Sequence, residues 1–254
     1  MNTVTVKNVN IGEGIPKICV PIVATTKDEI IASAKKLKDV PCDIVEWRAD
    51  WFDDVFEFEK VKAVLEELRN ILDNTPILFT FRTATEGGEK SIHKEAYARL
   101  SNEVIATKLI DLIDVELFTG DDVVKDILFN AHSNDIKVIV SNHDFEKTPD
   151  KDEIIKRLCK MQDLGADILK IAVMPNSQKD VITLLFATEE MVSNYAHQPV
   201  VTMSMASTGL ISRLSGEAFG SAITFGAIEK ASAPGQINAN ELNQVLNIIH
   251  NSIK

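Results

Sequence analysis

Lys170 stands inside the apolar run Ile168 to Val173 (ILKIAV), where a charged side chain needs a partner or a task. Strand-like alternation turns it inward. Desolvation and neighbouring cations favour a neutral amine, the form that attacks a ketone to make a Schiff base. His143 follows the apolar run Lys137 to Ser141 (KVIVS), and histidine is the natural proton carrier near neutral pH. Glu86 is a candidate to orient that ring and stabilise its charged form. Arg48, Arg82 and Arg213 suit a small anion, since a guanidinium grips a carboxylate through two parallel hydrogen bonds, while Glu46, Ser232 and Gln236 suit hydroxyl groups. The set describes a site for a polyhydroxylated keto acid. A protonated imine is itself an electron sink, so the chemistry requires neither metal nor cofactor. The five histidines are scattered, and Cys19, Cys42 and Cys159 show no ligand spacing and read as reduced, mostly buried thiols.

These residues need a frame that brings distant segments together. Eight strand-like runs occur: Lys17 to Ala24, Asp43 to Arg48, Ile77 to Phe81, Leu112 to Glu116, Lys137 to Ser141, Ile168 to Val173, Val200 to Met205 and Ala222 to Phe225. Stretches of helical period lie between them, including Lys27 to Leu37, Glu57 to Leu72, His93 to Thr107, Asp150 to Leu164 and Lys179 to Ser193. Such alternation demands a mostly parallel sheet. Eight strands in 254 residues predict an α/β fold, a (β/α)8 TIM barrel, in one domain spanning residues 1–254. The rival, an open doubly wound sheet, usually carries a Gly-rich turn after its first strand, and here Thr25, Thr26 and Lys27 follow instead. The opening TVTVKNVNIG alternates apolar and polar residues and predicts an N-terminal β-hairpin closing the bottom of the barrel. In such a barrel the carboxyl ends of the strands carry the chemistry, and the candidate residues fall there. Each also has a plainer reading. Lys170 suits an ion pair with Glu46 or Glu116, Arg48 and Glu116 suit structural ion pairs, and Asp50 and Glu89 suit solvated positions.

Composition narrows the partners. The formal charge of −11 disfavours nucleic acid and anionic membranes, and 45% hydrophobic residues supply a sizeable core. No apolar run is long enough to span a membrane, and the first residues lack the pattern of a signal peptide, which predicts a cytoplasmic protein.

Five motifs, in order along the chain, carry a resemblance: EWRAD (Glu46 to Asp50), FTFRT followed by EGG (Phe79 to Gly88), SNHDFEKTP (Ser141 to Pro149), ADILKIA (Ala166 to Ala172), and the block from Met203 to Ile237. Together they resemble type I 3-dehydroquinate dehydratase, over nearly the whole chain from residue 17. The resemblance implies a cofactor-independent barrel, usually a homodimer, that serves the shikimate route to aromatic amino acids. It implies that Lys170 forms an imine with the C3 ketone of 3-dehydroquinate, and that His143 removes the C2 proton and then protonates the departing C1 hydroxyl. Glu86 would orient His143, and Arg213 would bind the substrate carboxylate. Glu46, Arg48, Arg82, Ser232 and Gln236 would fix the ring hydroxyls and a closing loop, while Met203, Met205 and Phe225 would form apolar walls. The ASAPGQ segment has the composition of a lid.

Two other readings compete. A class I aldolase for phosphorylated sugars would share the barrel and the lysine, but it would place Gly-rich phosphate turns after the last two strands. A non-catalytic keto-acid sensor would have little use for an amine and a base in one pocket.

Overall fold

The apolar runs fold as parallel strands. The computed structural model describes residues 2–228 and 232–253. A hairpin of β1 (Val4–Val6) and β2 (Val9–Ile11) leads into β3 (Lys17–Ile22), β4 (Ile44–Arg48), β5 (Ile77–Thr80), β6 (Leu112–Glu116), β7 (Lys137–Asp144), β8 (Ile168–Val173), β9 (Val200–Ser204) and β10 (Ile223–Phe225). Between and after them run α1 (Lys27–Lys36), α2 (Phe58–Leu72), α3 (Lys94–Ala106), α4 (Asp121–His132), α5 (Lys151–Leu164), α6 (Gln178–Asn194), the short α7 (Leu210–Leu214) and α8 (Gly216–Phe219), and α9 (Ala239–Ser252). The strand order is β10-β3-β4-β5-β6-β7-β8-β9. The Ala222 N–H donates to the Val200 carbonyl at 2.8 Å, bringing the two ends of the sheet together. This is the nearly closed eight-stranded barrel that the spacing predicts. Two boundaries differ from the sequence reading. Strand β7 runs on to Asp144, so His143 lies within the strand, and the crossover after β9 is made of two short helices.

Local chemistry explains the elements. The Thr26 hydroxyl accepts from the Glu29 N–H while the Glu29 carboxylate accepts from the Thr26 N–H, a reciprocal cap that starts α1 directly after the first barrel strand. Helix α2 buries Val61, Val64, Leu65, Leu68 and Leu72, a stripe of helical period laid against the strands.

The outward side chains of the strands, such as Val45, Trp47 and Phe79, pack beneath the helices. The inward side chains form a second core: Ile44, Leu78, Leu112, Ile139 and Ile168 meet Val4, Val6, Val9 and Ile11 of the hairpin. The hairpin therefore plugs the bottom of the barrel, as the alternation of its residues predicts. Going up each strand by steps of two, the inward series changes from apolar to polar: Ile44, Glu46, Arg48 on β4; Leu112, Asp114, Glu116 on β6; Ile139, Ser141, His143 on β7. The plug keeps water from the lower layer, and the upper layer is left for chemistry.

Because α2 packs on the outside of the barrel, its core is separable from the site. Leu65→Ala is expected to lower unfolding stability by about 2–5 kcal/mol. Chemical denaturation checks this, and the activity per folded molecule should stay at the parent level.

Candidate active site

A barrel interior is a poor solvent for charge, so each ionised group in the upper layer must find a partner. Asp114 and Arg82 are at its centre. The carboxylate of Asp114 accepts from Lys170 Nζ at 2.9 Å through Oδ2, and from Arg82 Nη2 at 2.7 Å and Ser141 Oγ at 2.6 Å through Oδ1. Arg82 also donates to Glu116 at 2.9 Å and approaches Glu86 at 3.5 Å. Burial works against the charge of Arg82, and the Asp114, Glu116 and Glu86 carboxylates more than offset it, holding its pKa well above the ordinary value. Burial likewise pushes Asp114 up, but the Arg82 and Lys170 charges prevail and hold it well below the usual carboxylate range. The nearest carboxylate to Lys170 is therefore Asp114, with Glu46 at 4.0 Å, whereas Glu116 serves Arg82 and the Thr83 backbone and hydroxyl. The plainer reading of the sequence had named Glu46 and Glu116 and overlooked Asp114.

His143 and Glu86 form a second unit. The Nδ1 of His143 lies 2.9 Å from Glu86 Oε2, the same oxygen accepts from the His143 backbone N–H at 2.8 Å, and Asn142 Nδ2 donates to Oε1 at 3.2 Å. With Nδ1–H donated to Glu86, Nε2 is the nitrogen left to accept a proton. Burial, reinforced by the Arg82 and Lys170 charges, lowers the His143 pKa well below its usual value. Burial pushes Glu86 up to about 8 against the opposing charge of Arg82. Both glycines of the EGG motif are explained here. Gly87 has φ +82°, and a Cβ on it would lie 2.3 Å from the Phe145 ring; a Cβ on Gly88 would lie 1.9 Å from the Arg82 carbonyl oxygen. The bare backbone lets the turn that carries Glu86 fold tightly over Arg82.

The remaining arginines differ in what balances them. Arg48 is held by Asp50 through Nε and Nη2, both at 2.9 Å. Asp50 is fully buried, which corrects its reading as a solvated side chain. It also accepts from the Arg82 and Glu89 backbone N–H groups. Arg213 faces no carboxylate among the described residues: Nη2 donates to the Pro234 carbonyl at 3.0 Å, Nη1 meets Met203 Sδ at 3.7 Å, and Nε has no hydrogen-bond partner. Burial lowers its pKa to about 10. An anionic ligand would supply what this cation lacks. Above the pocket Gln236 and Ser232 bond one another, and Arg48 Nη1 reaches the Ser232 carbonyl at 3.3 Å. Ala231, the first residue of the ASAPGQ segment read as a lid, and Glu229 and Lys230 before it lie outside the described residues.

These groups converge on a cavity at the carboxyl ends of the strands. Lys170, His143, Glu86, Glu46, Arg48, Arg82, Ser232, Gln236, Met203, Met205 and Phe225 all line it, and Arg213 lies behind Met203. Sequence reasoning missed Asp114, Ser141, Thr80 (which donates to Glu46 at 2.9 Å) and Asn142. The alternation that flagged Lys170 within ILKIAV applies equally to Asp114 within LIDVE, so that signal was present. Among the described residues no three His, Cys, Asp or Glu side chains are grouped as a metal site would need.

The sequence matches the model of the type I 3-dehydroquinase family over residues 18–253. The chain belongs to that family. A 3-dehydroquinate dehydratase of Clostridioides difficile is 57% identical over 250 residues, covering 98% of each chain, and one from Clostridium botulinum is 58% identical over the same length. Among solved structures, the type I 3-dehydroquinate dehydratase of Clostridium difficile with covalently modified comenic acid superposes with a TM-score of 0.97 at 56% identity, covering 99% of each chain. The 3-dehydroquinate dehydratase of Enterococcus faecalis has a TM-score of 0.91 at 44% identity, covering 96% of this chain and 98% of its own. The expectation drawn from the five motifs is thereby met at the level of the family.

The two members of the His143–Glu86 pair affect the acid stability of this 3-dehydroquinase fold in opposite directions. A histidine held low in the folded state stays neutral where the unfolded chain takes up a proton, so it lowers stability as pH falls through about 6.5. A carboxyl raised to about 8 binds its proton more tightly when folded, so it lowers stability as pH rises from about 4.3 through 8. Replacing His143→Asn removes the first contribution and leaves the second. Thermal melts between pH 7.5 and 5.5 should show Tm of the variant gaining on the parent as the pH drops; a constant difference would contradict the shift assigned to His143.

Proposed function

We propose that this cavity carries out the Schiff-base dehydration of 3-dehydroquinate to 3-dehydroshikimate, with Lys170, His143 and Glu86 as the reacting and orienting groups. The family assignment makes the chain a 3-dehydroquinate dehydratase of type I, a hydro-lyase of the shikimate pathway. The observation that supports these roles most directly is one of register. Strands β7 and β8 are paired with Ser141 opposite Lys170 and His143 opposite Ala172, so the amine and the base project into the cavity from neighbouring strands, one inward step apart.

On this reading Lys170 Nζ adds to the C3 carbonyl and water departs, leaving a protonated imine. The C2–H bond beside it is then weakened, because its electrons can move into the C=N bond. His143, neutral and with Nε2 available, takes the C2 proton. The electron pair returns to expel the C1 hydroxyl, which leaves as water with the proton His143 now carries. Hydrolysis of the imine frees Lys170 and the product. Glu86 holds the ring at Nδ1 and the His143 backbone N–H, fixing the ring while the proton is in transit. Arg213 takes the substrate carboxylate, Glu46, Arg48, Arg82, Ser232 and Gln236 fix the hydroxyls and the covering loop, and Met203, Met205 and Phe225 shape the walls. Arg82 gives both Nη1 protons to Glu116 and Ser141 and one Nη2 proton to Asp114, so it would meet a hydroxyl only through its other donors. The Clostridium difficile relative was solved with covalently modified comenic acid, which agrees with covalent chemistry in this family. A homodimer and a cytoplasmic location complete the reading and rest on the resemblance; among the described residues no helix is long and apolar enough to cross a membrane.

The test is intact mass after 3-dehydroquinate and borohydride are added to the parent and to Lys170→Ala. A reduced adduct in the parent alone is expected. No adduct in folded parent protein would remove the imine and favour a binding role. Arg213→Ala, in turn, should raise KM about tenfold or more, because a charge-assisted hydrogen-bond pair is worth roughly 1.5–3 kcal/mol. An unchanged KM in steady-state assays would reassign the carboxylate to another group.

A further inference from the structure

The Lys170 nitrogen has a standing carboxylate partner, and this inference rests on the proposed Schiff-base chemistry. When an ammonium condenses with a ketone, its three protons divide: two leave with the carbonyl oxygen as water and one stays on nitrogen, which keeps the positive charge as iminium. Something must hold that last proton in place, because a neutral imine is a much weaker electron sink.

Asp114 is 2% exposed and fully engaged. Its Oδ2 faces Lys170 Nζ at 2.9 Å, and its Oδ1 is occupied by Arg82 Nη2 and Ser141 Oγ. On the other side of the nitrogen the Phe225 ring centroid lies 4.7 Å away, a face that favours a cation. We propose that Asp114 is the counter-ion of the Lys170 nitrogen through the reaction and keeps the imine protonated while C2 loses its proton. It suits this better than Glu46, which is farther from Nζ at 4.0 Å and carries only the Thr80 hydroxyl on that oxygen. Two donors on Oδ1 make Asp114 a weak base, so it attracts the iminium proton without taking it. The low pKa of its carboxyl, set by Arg82 and Lys170 against burial, agrees with that assignment. The other charged or titratable groups facing this pair are Cys19 on β3, Glu46 and Arg48 on β4, Arg82 after β5, Glu116 on β6 and His143 on β7, while Met203 of β9 and Phe225 of β10 are apolar.

Borohydride and cyanoborohydride separate the two states of the nitrogen, since borohydride reduces imines generally and cyanoborohydride needs the protonated form. The parent, Asp114→Asn and Ser141→Ala are each mixed with 3-dehydroquinate and either reagent from pH 6 to 9, and the adduct is read by intact mass. In the parent both reagents should give adduct across neutral pH. In Asp114→Asn the borohydride adduct should persist, while the ratio of cyanoborohydride to borohydride adduct falls, by up to about tenfold at pH values above the parent's midpoint, the change that one unit in the imine pKa produces there. Its midpoint should move to lower pH. Ser141→Ala keeps the carboxylate but takes a donor from its Oδ1, leaving more of its charge to the nitrogen while removing little volume, and should shift the midpoint the opposite way, to higher pH, by less. An unchanged ratio and midpoint in Asp114→Asn overturns the assignment; if that variant does not fold, an unchanged Ser141→Ala does so. A parent that forms no adduct with either reagent overturns the Schiff-base reading and this inference with it.

Discussion

Charge inside the barrel has to be balanced inside the barrel. Each ion withdrawn from water carries a desolvation penalty of several kcal/mol, and removing one member of a buried pair typically costs about 3–5 kcal/mol because the other is left exposed to a poor solvent. Arg82 meets most of this demand, facing Asp114, Glu116 and Glu86 from a single guanidinium. Much of the upper layer follows from its placement. Gly88 has no side chain because the Arg82 carbonyl occupies the space, Asp50 holds the Arg82 N–H, and Asp114 is ionised beside Lys170 because Arg82 stands on its other side. The site is a balanced set of ions in which Arg213 alone of the three arginines lacks a carboxylate among the described residues. A ligand carboxylate would complete the balance.

The lower layer has no part in this balance. Its isoleucines and leucines contribute burial and van der Waals contact, and the hairpin that covers them is tied to the rest of the chain largely by packing. Fold stability and chemistry are thus divided along the barrel axis, with the transition falling within each strand between one inward residue and the next. That division explains how a single short strand such as Leu112 to Glu116 serves both purposes.

Much of this was legible in the sequence for a physical reason. Parallel strands buried on both faces leave short apolar runs, and a charged residue inside one of them stands out, as Lys170 does in ILKIAV. His143, Glu86 and the three arginines followed from their residue types at strand ends. The pairing was not legible, because which carboxylate meets which cation depends on neighbours across the sheet. The register that sets Thr80 beside Asp114, and Ser141 beside Lys170, belongs to the folded barrel alone. Asp50 shows the same limit: in EWRAD it looks like a surface residue, and only the fold brings Arg48, Arg82 and Glu89 around it. Asn142 reads in sequence only as a flanking residue beside the one with chemistry, yet its amide donates to the Glu86 oxygen that the ring leaves free.

The hairpin plug has a consequence for traffic. With the lower end filled by Val4, Val6, Val9 and Ile11 against the barrel's own isoleucines and leucines, the described residues block the cavity from below and leave passage only toward the carboxyl ends of the strands, where Ser232 and Gln236 line it. On the proposed chemistry, substrate, product and the expelled water would share that passage. A second substrate cannot push the product out from behind, so product retained in the site and substrate waiting outside compete for the same doorway.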